Sequence, residues 1–303
     1  MNLVETTSLS HDYGGTVLAL DNLNVEIPGG VVGLVGANGA GKTTLLRIIL
    51  GLLHPSGGAV TVLGTSVADD ALGLRSRIGY MPEGKCLPLD QTAADFVAFT
   101  AELAGIPSTE ARRRASETLF LVGLHEERFR YLGDFSTGMQ QRVKLAQSIV
   151  GDPDLVLLDE PAAGLDPAGR EQMLDLIRRL REFGINVMFS SHILEDIEQT
   201  CDWVVMLDAG RLVRNAPLEP PSDGDEVSVE VIGDPELVAT ALIERGAQTF
   251  VDGQVIRVVH GGVEDVFDLV IEALAEHEIG LRRMGTSLSS LEDLFLKHEA
   301  ERG

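Results

Sequence analysis

The chain has 303 residues, 44% of them hydrophobic, and carries 24 Lys and Arg against 47 Asp and Glu, a formal net charge of −23. That length can bury one large core or two modest ones, and so acidic a balance speaks against a nucleic-acid backbone as partner, because phosphate binding needs clustered cations. Cys86 and Cys201 form no CxxC pair or metal-ligand cluster, no apolar run reaches the length of a membrane span, and the start lacks a basic-then-apolar leader, so a cytoplasmic protein without structural disulfides is expected.

From the N-terminus, "LVETTSLSHDY" and "TVLALDNLNVEI" read as strands, followed by the turn "PGG" and the apolar strand "VVGLV". A helix is predicted from Thr43, then a hairpin-like "GAVTVLG" at 58 to 64. Residues 90 to 133 differ: "TAADFVAFTAELAGI" and "TEARRRASETLFLVGL" both have helical periodicity, which predicts a small all-helical insertion. There follow a helix from about Thr137, the strand "DLVLLD", a helix over about Pro167 to Phe183, the strand "INVMFSS" and the hairpin "WVVMLDAGRLV". Strands alternating with helices in this way predict a parallel sheet covered on both faces. The Pro-rich, acidic "APLEPPSDGDE", 216 to 226, reads as a linker. Beyond it the strand "VSVEVIG", helix "PELVATALIERG", strands "AQTFVDG" and "VIRVVH", helix "VEDVFDLVIEALAEH", a short strand and the helix "SLEDLFLKHEA" predict a small open α/β sandwich.

The chemistry is concentrated in three places. "GANGAGKTT", Gly36 to Thr44, fits G-x-x-x-x-G-K-[ST] between a strand and a helix, the context a phosphate loop requires. Gly36, Gly39 and Gly41 let the backbone turn its N–H groups onto phosphate oxygens, Lys42 adds a charge between the β- and γ-phosphates, and Thr43 offers a hydroxyl to Mg²⁺. "LVLLDEP" ends an apolar strand with Asp159, suited to hold Mg²⁺ through water, and Glu160, suited to polarise an attacking water. Adjacent acids at a strand end serve equally to cap the next helix, and the residues alone leave both readings open. His192 follows "INVMFSS" at a similar sheet edge, where an imidazole can reach a γ-phosphate, although a lone histidine is more often structural.

Taken in order, these residues resemble the ATP-binding subunit of ABC transporters of the bacterial exporter type, a likeness that covers about residues 2 to 215. "GANGAGKTT" is similar to the family's phosphate loop, "LVLLDE" to its acidic strand, "GLDP" with Asp166 to its D-loop, "SSH" to its switch histidine, and "STGMQQR" to the signature usually written LSGGQ. The resemblance implies a P-loop NTPase core over 1–215, with an antiparallel β subdomain and a helical subdomain at about 86–150, a linker at 216–226 and an accessory α/β domain over 227–303. It implies ATP and Mg²⁺ as cofactors, Gly36, Asn38, Gly39, Ala40, Gly41, Lys42, Thr43 and Thr44 around the phosphates, Tyr13 stacked on adenine, and Thr43, Glu83 and Asp159 toward the metal. It further implies catalytic roles for Glu160, His192 and Glu83, and a head-to-tail homodimer in which Ser136, Gly138 and Asp166 of one subunit close on the ATP of the other. A separate membrane subunit, met through the helical insertion, implies a location on the inner face of the membrane.

The pattern departs from the family at two points. Glu83 stands in "IGYMPEG" where the family has glutamine, and in the signature Phe135, Thr137 and Met139 replace Leu, Gly and Gln while Ser136 and Gly138 remain. The tail "SLEDLFLKHE", 290 to 299, is similar to that of many bacterial exporter ATPases and equally to a plain amphipathic helix. A soluble ABC ATPase acting on DNA or ribosomes fits less well, since such proteins carry tandem cassettes, coiled coils or basic arms, and a purely ATP-sensing module would have little need of Glu160 and His192.

Overall fold

The computed structural model describes residues 2–15, 17–218, 226–259, 263–277 and 279–286. The chain divides into two units, Met1–Leu218 and Glu219–Gly303.

In the first unit β1 (Val4–Asp12) pairs antiparallel with β2 (Leu18–Ile27), and β3 (Val31–Val35) leads to helix α1 (Lys42–Ile49). The hairpin β4 (Gly57–Val62) and β5 (Thr65–Ser66) follows, then α2 (Val67–Arg75) and β6 (Ile78–Met81). The insertion supplies α3 (Ala93–Leu103), α4 (Ser108–Leu121) and α5 (Thr137–Ile149). The chain then alternates through β7 (Leu155–Leu158), α6 (Pro167–Glu182), β8 (Asn186–Ser191), α7 (Leu194–Thr200), β9 (Trp203–Asp208) and β10 (Arg211–Pro217).

Two sheets result. One is antiparallel, in the order β2-β1-β4-β5; the other runs β10-β9-β3-β8-β7-β6, parallel except for the edge pair β9 and β10. Every residue of β3 and of β7 is buried, as expected for strands covered on both faces. Leu34, Leu45, Ile48, Leu157, Met188 and Val205 share one core cluster between the sheets and α1. Burying each such side chain contributes about 1.5–3 kcal/mol, which fixes α1, and the loop before it, to the strands.

The parallel register decides where the chemistry falls. Val35 pairs with Ser191, Phe189 with Leu158, and Leu158 with Met81. The residues that follow each strand end therefore emerge at one sheet edge: the loop from Gly36, His192, Asp159 and Glu160, and the turn carrying Glu83. That carboxyl edge is where open α/β sheets bind ligands.

The second unit is built from β11 (Glu226–Ile232), α8 (Pro235–Glu244), β12 (Gln248–Asp252), β13 (Val255–Val259), α9 (Val263–Glu276) and β14 (Gly280–Thr286). Its antiparallel sheet has the order β12-β13-β11-β14, the split β-α-β-β-α-β arrangement of ferredoxin-like folds. Val227, Val229, Val231, Ile256 and Val258 pack on Val238, Leu242, Val266 and Val270 of the two helices.

Two features correct the sequence reading. The linker does not start at residue 216, because Ala216 and Pro217 belong to β10 and pair with Val204 and Trp203. Pro217 suits its place, since β10 is an edge strand and ends there, where a missing N–H breaks no ladder. Helices α2 and α7 and the short strand β6 were also not expected; α2 is broken at Asp70, whose φ of −146° is not helical. The helix expected at 290–299 lies outside the described residues.

Candidate active site

Gly41 sits before α1 at φ +104°, and a Cβ there would lie 2.5 Å from Ala19 O, so glycine is required by both backbone and space. A Cβ on Gly36 would meet Leu207 O at 2.3 Å. The loop closes on Lys42, whose buried Nζ donates to Gly36 O at 2.6 Å and Ala37 O at 3.4 Å and lies 3.6 Å from Glu160 Oε1.

A chain of side-chain contacts crosses the sheet edge from there. Thr43 Oγ1 donates to Asp159 Oδ1 at 3.3 Å, and Ser190 Oγ donates to the same oxygen at 2.7 Å. Ser190 Oγ in turn accepts from Glu160 N at 2.8 Å, and Glu160 Oε2 lies 2.9 Å from His192 Nδ1. Glu160 has a φ of +50°, the left-handed region that few side chains adopt. The backbone at this point is strained, and the strain lies at the carboxylate suited to activating water.

Of these groups Lys42, Thr43, Asp159 and Glu160 open onto a cavity of about 300 Å³ whose lining also includes Tyr13, Asn38, Gly39, Ala40, Gly41, Thr44 and Glu83. Most of the residues singled out in the sequence therefore meet in one place. Tyr13 is half-exposed at its mouth, its ring edge-on to His11 at 4.6 Å and its hydroxyl 3.4 Å from Thr44 Oγ1. A smaller cavity of about 150 Å³ adjoins it on the far side of Glu160, lined by His192, Arg170 and Asp196 among others. There Arg170 Nε donates to buried Asp196 Oδ1 at 2.5 Å. Burial pushes the Asp196 carboxyl up, against the opposing pull of Arg170.

Ser136, Gly138 and Asp166 do not join the large cavity. Ser136 caps α5, its exposed Oγ accepting from Met139 N at 3.3 Å, and Asp166 caps α6, accepting from Gly169 N at 2.9 Å. The two caps are neighbours: a Cβ on Gly138 would lie 3.7 Å from Leu165 Cδ2. Sequence reasoning did not find Ser190 or Lys144. The first is signalled only by a hydroxyl at the end of a core strand, and the second by a lysine on the inner face of a helix.

Among the described residues no group of three or more His, Cys, Asp or Glu side chains is placed to hold a metal ion by itself. The oxygens of Thr43 and Asp159, 3.3 Å apart, instead fit Mg²⁺ in its usual manner, with one or two protein ligands and the rest from phosphate and water.

A glycine-rich turn between a central parallel strand and a helix, with a lysine in the turn and an acid at the end of a nearby strand, defines a P-loop nucleoside triphosphatase. The family model for ABC transporters matches residues 20–163. The bacitracin transport ATP-binding protein BcrA of Bacillus licheniformis is 33% identical, over 97% of this chain and 96% of its own. The methionine import ATP-binding protein MetN of Caulobacter vibrioides is 40% identical over 66% of this chain and 62% of its own. A dimeric ATP-binding cassette solved in a post-hydrolysis state with ADP and Pi superimposes with a TM-score of 0.65 at 26% identity, over 71% of this chain and 99% of that one. The chain belongs to the ABC transporter ATP-binding proteins and is an ATPase.

Proposed function

We propose that this chain is the motor of an ABC exporter, working as a homodimer that closes over two ATP molecules and is opened by their hydrolysis. The observation that carries this reading is the position of the signature residues. Ser136 and Gly138 lie at an exposed helix N-terminus outside the cavity formed by their own chain's phosphate loop. A helix N-terminus with an exposed serine hydroxyl as its cap suits an anion, and a facing copy supplies one.

In this reading Tyr13 stacks on adenine, and Asn38 to Thr44 wrap the phosphates. The β- and γ-phosphate oxygens draw the Lys42 ammonium away from Glu160, leaving that carboxylate to take a proton from water. The water oxygen then bonds to the γ-phosphorus as the bond to the bridging oxygen breaks. His192, in contact with Glu160, keeps the carboxylate aimed, and Thr43, Asp159 and Glu83 provide the oxygens toward Mg²⁺, which neutralises charge on the β- and γ-phosphates. The helical insertion exposes Leu89, Phe99, Leu103, Phe120, Phe129 and Tyr131, an apolar set suited to a membrane subunit at the inner face of the membrane. Export rather than import is supported by the likeness to BcrA, which extends over both units, whereas that to MetN covers two thirds of the chain.

The test pairs two variants. A Ser136→Arg homodimer still binds ATP but hydrolyses poorly, and a Lys42→Ala homodimer fails to hold the phosphates. Mixed, they give heterodimers in which one site joins an intact phosphate loop to an intact signature. Contacts to charged groups are worth roughly 1.5–3 kcal/mol each, so turnover rises about tenfold or more over either parent. A mixture no more active than the mean of its parents, with exchange verified, sinks the facing arrangement.

A further inference from the structure

Helix α5 is bound to β6 and to the turn after it, which carries Glu83, by two side chains one turn apart. Gln147 Nε2 donates to Tyr80 O at 2.6 Å, and Lys144 Nζ donates to Glu83 O at 3.1 Å. Lys144 is 4% exposed, so its ammonium is an internal charge. Among the described residues no carboxylate comes within 4.0 Å of it, and the groups that act on it electrostatically are Cys86, Glu83 and Asp159, the last two of them carboxylates. Burial pushes the ammonium's pKa down and these three neighbours push it back up. A buried cation with a single carbonyl partner is costly unless anions nearby offset it.

Glu83 has the complementary problem. It replaces a neutral amide, and its side chain lines the cavity together with Asp159 and Glu160, to which the triphosphate adds further negative charge. We propose that Lys144 is a positioning residue that offsets the carboxylate of Glu83 and ties the loop bearing it to the signature helix. The inference rests on the placement of Glu83 at the ATP site. Two oddities of this sequence, an acid in place of an amide and a lysine turned inward, then have one explanation. The link also has a direction. Ser136 begins the helix on which Lys144 lies, two turns further on, so displacement of α5 by a partner's nucleotide is passed to the loop at the chain's own γ-phosphate.

The experiment uses the full chain with Lys144→Gln, which keeps a donor for Glu83 O, with Lys144→Met as a second neutral variant. Each is made alone and with Glu83→Gln. Affinity for a fluorescent ATP analogue is read in EDTA and in Mg²⁺, with ATPase rate and melting temperature alongside. Removing the cation weakens metal-free nucleotide binding by about tenfold, the order expected of one partly screened charge pair. Glu83→Gln in the same background restores affinity to within about threefold. Rescue supports the pairing, because a purely structural lysine is indifferent to charge at position 83. Additive effects without rescue, or an unchanged affinity in both Lys144 variants, overturn it. Glu83→Gln alone separates this from failure of the underlying reading: if it alters neither metal-free binding nor its Mg²⁺ dependence, Glu83 is not at the ATP site.

Discussion

Replacing Ser190 by Ala removes one hydroxyl that serves two partners. Ser190 is fully buried, donates to Asp159 at 2.7 Å and accepts from the Glu160 N–H at 2.8 Å. The variant leaves an N–H without an acceptor and deprives a carboxylate of its shorter hydrogen bond; Thr43 remains at 3.3 Å. Losses of this kind cost about 1–3 kcal/mol each, and with partial relaxation the sum is about 2–3 kcal/mol. For a unit of this size that lowers the melting temperature by roughly 4–12 °C. The kinetic effect is separable. Ser190 does not line the larger cavity, the proposed ATP site, so KM for ATP stays within about twofold, while kcat falls about ten- to thirtyfold because Glu160 loses the anchor of its backbone. Steady-state ATPase assays and differential scanning calorimetry on the parent and variant measure both. Ser191→Ala is the control, since among the described residues that hydroxyl bonds only within its own turn, to Ile193 N at 3.0 Å and Ile193 O at 3.3 Å. Parental kcat and melting temperature in Ser190→Ala would refute the argument, as would an equal loss in Ser191→Ala.

Glu160→Gln keeps ATP bound but removes the proton acceptor; hydrolysis drops by at least about a hundredfold, and an ATP-dependent dimer accumulates on size-exclusion chromatography, whereas near-normal turnover removes Glu160 from that role. A chain ending at Leu218 retains the β9 and β10 pairing and binds ATP like the full chain, while one ending at Asn215 loses the pairs of Ala216 and Pro217 and melts several degrees lower; equal melting temperatures contradict the placement of these residues in the strand. In a thiol-labelling assay exposed Cys86 reacts at once, and Cys201, whose burial pushes the thiol well up, reacts only on unfolding; two fast thiols would contradict the packing around Cys201.

What the sequence disclosed follows from how far apart the cooperating residues lie. The phosphate loop and the pair Asp159 and Glu160 are patterns within a few residues and stand out in the sequence, whereas Ser136 and Asp166 were singled out only by likeness to the family's signature and D-loop, and that they cap α5 and α6 appears only in the structure. The long apolar strands and amphipathic helices were legible as well: α6 buries Met173, Leu174, Ile177 and Leu180 in one stripe. Strand β6 has only four residues and α7 only seven, too few for a period to stand out. The role of Ser190 exists only once β7 and β8 pair, and that of Lys144 only once α5 lies along β6 and brings it to Glu83, 61 residues away in sequence. Pro217 and the acidic residues after it marked a linker, because composition cannot distinguish an edge strand's last proline from the start of a connection.

The left-handed backbone at Glu160 bears on how this protein responds to selection. A glycine at that position relieves a conformation worth roughly 1 kcal/mol or more to avoid, and it also removes a half-buried carboxylate from a crowded acidic edge. In a library sorted for thermal resistance alone, residue 160 drifts away from glutamate, and the survivors are inert. Sorting the same library for ATP turnover draws the position back. The sites where two such sorts diverge mark residues kept for chemistry at the expense of stability, and residue 160 is expected to diverge more than any position of the surrounding core.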